Sequence, residues 1–123
     1  MHGVIIPKRR AVSVTGAVAK ASAGAVAYMP IARVPNLTAA VERLKKEGLW
    51  VCGADMGGTP MTQAPLSGPL ALVIGGEDEG ISRLLKEKCD FIASIPLLGE
   101  MTSLNASVAA ALLMYEKIRQ DGK

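Results

Sequence analysis

The chain is predicted to be an α/β protein, a mostly parallel sheet with helices on both faces. Three observations predict it. Segments that read as strands alternate with segments that read as helices, the order expected of βαβ units. The strand segments "GVII", "LWVCGA" and "LALVIG" are continuous apolar runs, as in strands covered on both faces, and do not alternate with polar residues. Half of the 123 residues are hydrophobic, enough for one domain over residues 1–123 with a real core. Aromatic residues make up only 3%, so Ala, Val, Leu and Ile must fill that core.

Taken in order, Gly3–Ile6 reads as a short buried strand ended by Pro7, with the basic run Lys8, Arg9, Arg10 at its carboxyl end. Ser13–Ser22 has the small residues of a closely packed helix, and Gly24 breaks it. Ala27–Val34 looks extended around Pro30. Asn36 stands where an N-cap would, ahead of Leu37, Ala40, Val41 and Leu44 at helical spacing. Lys45 and Lys46 suit the last turn of that helix, and Gly48 suits its C-cap. Leu49–Ala54 reads as a buried strand. Asp55–Pro69, rich in Gly, Pro, Thr and Ser, reads as a loop whose length points to a task. Leu70–Gly75 is the strongest strand, Ser82–Cys89 a short helix and Phe91–Pro96 another strand. Asn105–Gln120 is a long Ala- and Leu-rich helix whose wet end carries Glu116, Lys117, Arg119 and Gln120. There is no internal repeat, low-complexity tract or linker.

Composition excludes several classes of chemistry. Fourteen Lys and Arg against eleven Asp and Glu give a formal charge of +3, which permits contact with nucleic acid without requiring it. Cys52 and Cys89 form no CxxC pair and His2 is the only histidine, so no metal site is expected, and neither a Ser/His/Asp nor a Cys/His set can be assembled. His2 itself, beside Met1, is read as exposed and without a catalytic role. Both cysteines lie in or beside apolar stretches and are read as small buried hydrophobes in a reducing cytoplasm. No apolar run approaches the roughly 20 residues of a membrane span, and "GVII" is too short for a signal-peptide core.

In a parallel sheet, ligands bind beyond the carboxyl ends of the strands. Three segments are placed there: Ala54–Gly58, Gly75–Gly80 and Pro96–Asn105. In "GGEDEG", Gly75 and Gly76 permit a sharp turn and close approach, while Glu77, Asp78 and Glu79 repel phosphate. The spacing is neither GxGxxG nor a Walker loop. Two readings stand: a turn whose acidic residues favour the following helix, or a loop for a neutral or cationic ligand held by main-chain groups. In "MTSLNAS", Ser103 and Asn105 can cap the last helix, and the group left over can face a ligand. Lys8, Arg9, Arg10 and Lys20 can touch a phosphate backbone or form a solvated turn.

The stretch from Leu70 to Glu116, "LALVIGGEDEGISRLLKEKCDFIASIPLLGEMTSLNASVAAALLMYE", resembles the C-terminal signature of the SpoU (TrmH-like) branch of the SPOUT methyltransferases. A strand leading into Gly-x-Glu-x-x-Gly and Ile-Pro leading into Ser-Leu-Asn-x-Ser-Val-Ala stand at the family's separation, and "KASAGAVAYMPIARV" is similar to its upstream segment. The resemblance implies an α/β fold with a deep C-terminal trefoil knot over about residues 70–120 and S-adenosylmethionine bound in the knot's loops. It also implies methyl transfer to a ribose 2′-hydroxyl of rRNA or tRNA by a homodimer. By position it implies that Ala54, Gly75, Gly76, Gly80, Ile95, Leu97, Ser103 and Leu104 bind the cofactor, with Ile95 and Leu97 on its adenine side. Glu77, Ser103 and Asn105 would serve catalysis, and Lys8, Arg9, Arg10 and Lys20 would meet RNA. Asp78 stands where many members have Gly, a minor departure. The larger departure is that the family's first motif, with its catalytic Arg, should precede "GVII". Lacking that first strand, helix and Arg, the chain is expected to be an impaired methyltransferase domain. The alternative is a non-catalytic remnant that binds S-adenosylmethionine or a macromolecule and acts through its surface.

Overall fold

The computed structural model describes residues 2–7, 30–75, 80–97 and 105–122. The helix expected over Ser13–Ser22 lies outside them, as do Lys8, Arg9, Arg10, Lys20, Gly76, Glu77, Ser103 and Leu104. The chain divides into two compact units, Met1–Ala40 and Val41–Lys123.

In the first unit β1 (Val4–Pro7) pairs in parallel with β2 (Ile31–Val34), from Val4 opposite Ile31 to Pro7 opposite Val34. The Val4 amide also donates to the Pro30 carbonyl at 2.9 Å. Pro7, the strand's last residue, has no amide hydrogen to donate to the ladder, and proline is tolerated where a strand has an unpaired edge, as β1 has among the described residues. The unit boundary falls inside α1 (Leu37–Lys46). As expected, Asn36 Oδ1 accepts the Ala39 amide at 3.1 Å, and Gly48 follows the helix at φ +95°.

The second unit is built on a three-stranded parallel sheet in the order β4-β3-β5, from β3 (Trp50–Pro60), β4 (Leu70–Ile74) and β5 (Phe91–Ser94). Between β4 and β5 runs α2 (Arg83–Lys88), and α3 (Ala106–Gln120) closes the chain and packs on β4. Every described strand pair is parallel, as the continuous apolar runs predict. The central strand is the most buried: Val51 and Cys52 are wholly enclosed, while β4 is half-buried throughout. Trp50 departs from the expected buried run. It stands at the rim, 61% exposed, where β3 has just begun and its amide reaches back to the Pro69 carbonyl.

The main departure is the segment read as a loop from Asp55. Here β3 continues to Pro60: after a bulge Ala54 and Thr59 both oppose Ala93, and Pro60 opposes Ser94. Ser94 Oγ donates to the Gly58 carbonyl at 3.0 Å, and the Met61 amide donates to the Ser94 carbonyl at 2.8 Å. A side chain at Gly58 would put its β-carbon 2.5 Å from the Ile92 carbonyl oxygen, so this close pairing requires glycine. Beyond Pro60 the chain returns to the core. Ala64 and Leu66 join Cys52, Ala93 and Leu113 in the buried cluster. Burying a leucine side chain contributes about 1.5–3 kcal/mol, so Leu66 ties its loop down.

Candidate cofactor site

Because β3, β4 and β5 run in the same direction, the carboxyl ends of β4 and β5 fall beside the bulge of β3, at Ala54, where its pairing with β4 stops. Ala54 stands opposite Ile74 on one flank and Ala93 on the other. The residues that follow, Asp55, Gly75 and then Ile95 and Leu97, are half-buried at this edge. Gly80 returns to it at φ +66°, where a side chain would be strained. A β-carbon on Gly75 would overlap the Gly80 carbonyl carbon and stand 2.5 Å from the Ile81 nitrogen. The two ends of the Gly75–Gly80 loop therefore touch main chain to main chain, and the mouth of the loop is pinched. Of the residues expected to bind a cofactor, Ala54, Gly75, Gly80, Ile95 and Leu97 are thus placed by β3, β4, β5 and their exits.

Asp55 is the residue that sequence reasoning missed. The sequence places it in the Ala54–Gly58 segment at the ligand edge but assigns it no role of its own; its signal is a carboxylate directly after a buried apolar run. Its Oδ1 accepts the Met56 amide at 2.7 Å, and its Oδ2 lies 3.1 Å from Lys86 Nζ on α2. Burial works against its charge, but the hydrogen bonds from Lys86 and Met56 prevail and hold the carboxyl below its ordinary value.

Asn105 stands at the N-cap of α3. Its Oδ1 accepts the Ser107 amide at 2.9 Å, the Ser107 hydroxyl at 2.6 Å and the Val108 amide at 3.4 Å. Of the two expected capping residues, Asn105 therefore fills that role. Ser82 caps α2 in the same way, accepting the Leu85 amide at 3.3 Å.

The thiols are poor nucleophiles. Burial pushes Cys52 up to about 11, and burial followed by the neighbouring Asp90 charge raises Cys89. Cys89 is half-buried, less enclosed than expected, and its Sγ donates to the Leu85 carbonyl at 3.5 Å. Among the described residues no group of His, Cys, Asp and Glu could hold a metal ion, and no helix is long and apolar enough to cross a membrane.

A family model described as "SpoU rRNA Methylase family" matches residues 1–115. The chain belongs to the SpoU rRNA methylase family. A Bacillus subtilis relative named for the TrmH family of tRNA/rRNA methyltransferases, YacO, is 53% identical over 120 residues, covering 97% of this chain and 48% of that protein. A Staphylococcus haemolyticus relative named for the same family is 52% identical over 121 residues, covering 98% and 49%. Among solved structures, the SpoU methyltransferase AviRb of Streptomyces viridochromogenes in complex with AdoMet (S-adenosylmethionine) superposes with a TM-score of 0.85 at 31% identity, over 97% of this chain and 49% of that one. An AdoMet-bound rRNA methyltransferase of Sinorhizobium meliloti superposes with a TM-score of 0.85 at 25% identity, over 95% and 45%. The SpoU chain described here thus spans about half the length of the curated relatives it matches. Its α/β fold of parallel strands and helices is that of these SPOUT methyltransferases.

Proposed function

We propose that the chain binds S-adenosylmethionine at the carboxyl ends of β4 and β5 beside the bulge of β3 and serves transfer of its methyl group to a ribose 2′-hydroxyl of rRNA or tRNA. The observation that carries this is the close approach of Gly75 and Gly80 at the edge that Ala54 and Ile95 share, a half-buried edge of small and apolar residues. The donor set fits. The charged side chains placed at this edge among the described residues are Asp55 and the Lys86 that pairs with it, so the edge offers no surplus of positive charge for a pyrophosphate and suits a sulfonium joined to an uncharged nucleoside. AviRb and the Sinorhizobium enzyme, alike in fold, were solved with that cofactor.

When bound, the cofactor supplies an electrophilic methyl group on sulfur. What the chain contributes is placement and exclusion of water. Ala54, Gly75, Gly76 and Gly80 present main-chain groups to the ligand, and Ile95 and Leu97 give the adenine an apolar wall, with Leu104 beside them in this reading. Glu77, Ser103 and Asn105 hold the ribose end, where a base must take the hydroxyl proton. Asn105 is suited to this because its Oδ1 is locked to the first turn of α3, which fixes where the residue sits. The knotted path implied for residues about 70–120 belongs to the same reading.

Charge supports RNA as the acceptor. The first unit holds Lys8, Arg9, Arg10, Lys20 and Arg33 and no carboxylate, a formal +5. The second holds nine basic against eleven acidic residues, a formal −2. Phosphate contact is therefore assigned to the first unit, and a cytoplasmic setting goes with an rRNA or tRNA acceptor. One face of α3 exposes Val108, Leu112, Tyr115 and Ile118, and a second copy of the chain is proposed to cover it.

The test is to incubate the chain with methyl-tritiated cofactor and bulk rRNA or tRNA, then digest the RNA to nucleosides. Label in 2′-O-methylribose is expected. Label confined to bases would remove the ribose assignment. A chain that binds cofactor but never labels RNA would support the non-catalytic alternative.

A further inference from the structure

We infer that Asp55 and Lys86 are positioning residues that pin the exit of the Gly75–Gly80 loop against β3 and so set the width of the cofactor site. The inference rests on the cofactor reading above and concerns two residues to which that reading gives no such role.

The loop enters from β4, whose pairing with β3 fixes Ile74 opposite Ala54. Its exit carries a main-chain bridge at Gly80, which packs against Gly75, and two side-chain contacts beyond it dock the following residues on β3. Ile81, buried to 8% exposure, places its Cδ1 3.0 Å from where a β-carbon on Gly53 would stand. One turn into α2, Lys86 Nζ reaches Asp55 Oδ2 at 3.1 Å. The other carboxylate oxygen of Asp55 is held by the Met56 amide and lies 3.9 Å from where a β-carbon on Gly80 would stand. One carboxylate thus faces Gly80, its own loop and α2 together. It follows directly on Ala54, so the pair fixes the distance between the two main-chain walls of the proposed site.

The ion pair is open to water: the Lys86 side chain is 44% exposed and that of Asp55 27%. Such pairs add little to global stability. Loss of the pair should therefore appear in ligand affinity and leave melting almost unchanged, the opposite of a residue that merely holds the fold. Asp55→Asn keeps the shape and an acceptor for Met56 but removes the attraction to Lys86. Lys86→Met keeps the stem and removes the charge. Lys86→Arg keeps the pair.

The experiment is calorimetric titration of the parent and the variants with S-adenosylmethionine, with thermal melts of each. Asp55→Asn and Lys86→Met are each expected to weaken binding about three- to tenfold, the double variant no more than either alone, as for contacting residues. Lys86→Arg should bind like the parent, and all should melt together. A parent that binds no cofactor overturns the cofactor reading and this inference with it. A parent that binds while Asp55→Asn binds equally well overturns this inference alone. So would additive losses in the double variant, or losses that track falls in melting temperature.

Discussion

Glu116 is the buried charge among the described residues, and its surroundings show what one carboxylate can organise. Its two oxygens accept Arg119 Nε at 2.9 Å and Arg119 Nη2 at 2.7 Å, and Gln120 Nε2 adds a third bond at 2.8 Å. Gln120 also donates to the Met61 carbonyl and accepts the Leu66 amide. The bonds from Arg119 and then Gln120 hold the Glu116 carboxyl at about 2, well below its ordinary 4.5. A depressed value means that the folded state favours the ion. The stabilisation is fully present above the unfolded value and is lost as pH falls through the folded one. Melting temperature should therefore drop between about pH 4.5 and pH 2. Glu116→Gln should melt lower than the parent at pH 7 and flatten that acid limb in a series of thermal denaturations. An unchanged limb would contradict the assignment. At this scale the sequence was legible where partners are local. Asn36, Ser82 and Asn105 cap the turns that follow them. Glu116, read as part of a wet helix end, has local partners too, but Gln120 beside it reaches Met61 and Leu66, a link to a loop far away in the sequence that local pattern does not show.

Among the elements, α1, β4, α2, β5 and α3 follow periodicity and capping closely, and β3 does not. Gly57, Gly58 and Pro60 punctuate its second half, and such residues read as loop. Strand character comes instead from β5, which offers Ala93 and Ser94 as partners across the bulge. Local sequence carries no trace of that pairing. The loop that follows was expected to have a task; the described contacts give it a structural one. Gly68 donates to Asp121 Oδ1 at 2.9 Å and its carbonyl accepts Lys117 Nζ at 2.7 Å, so the end of α3 grips the loop from outside while Leu66 fills the core beneath. Leu66→Ala is expected to cost about 2–5 kcal/mol of unfolding free energy in a urea titration, as for a leucine removed from a packed core. A loss under about 0.5 kcal/mol, ordinary for a surface position, would show that the loop is not part of the core.

For the molecule as a whole, charge and apolar surface divide the labour. Carboxylates are absent from the first forty residues and concentrated in the unit that carries the proposed cofactor site. This asymmetry is plain in the sequence once the unit boundary is known. Which side of α3 is open was not legible: composition gives a closely packing helix with a wet end, and only the structure shows that Tyr115 is 73% exposed while Leu113 is wholly buried. If a second copy covers that face, sedimentation of the parent should give a dimer, and Tyr115→Asp with Leu112→Asp should give a folded monomer. A parent that sediments as a monomer at high concentration would remove the proposed interface.

The account depends most on the claim that the carboxyl ends of β4 and β5, with the bulge of β3 between them, form a site for S-adenosylmethionine. Equilibrium dialysis against the radiolabelled cofactor tests it most directly, with the parent beside Gly75→Ala, whose new methyl group would force Gly80 away and open the pinched loop. The account predicts saturable binding of one cofactor per chain by the parent and loss of binding by a variant that still melts cooperatively. A folded parent that retains no label, or a Gly75→Ala variant that retains as much as the parent, would contradict it.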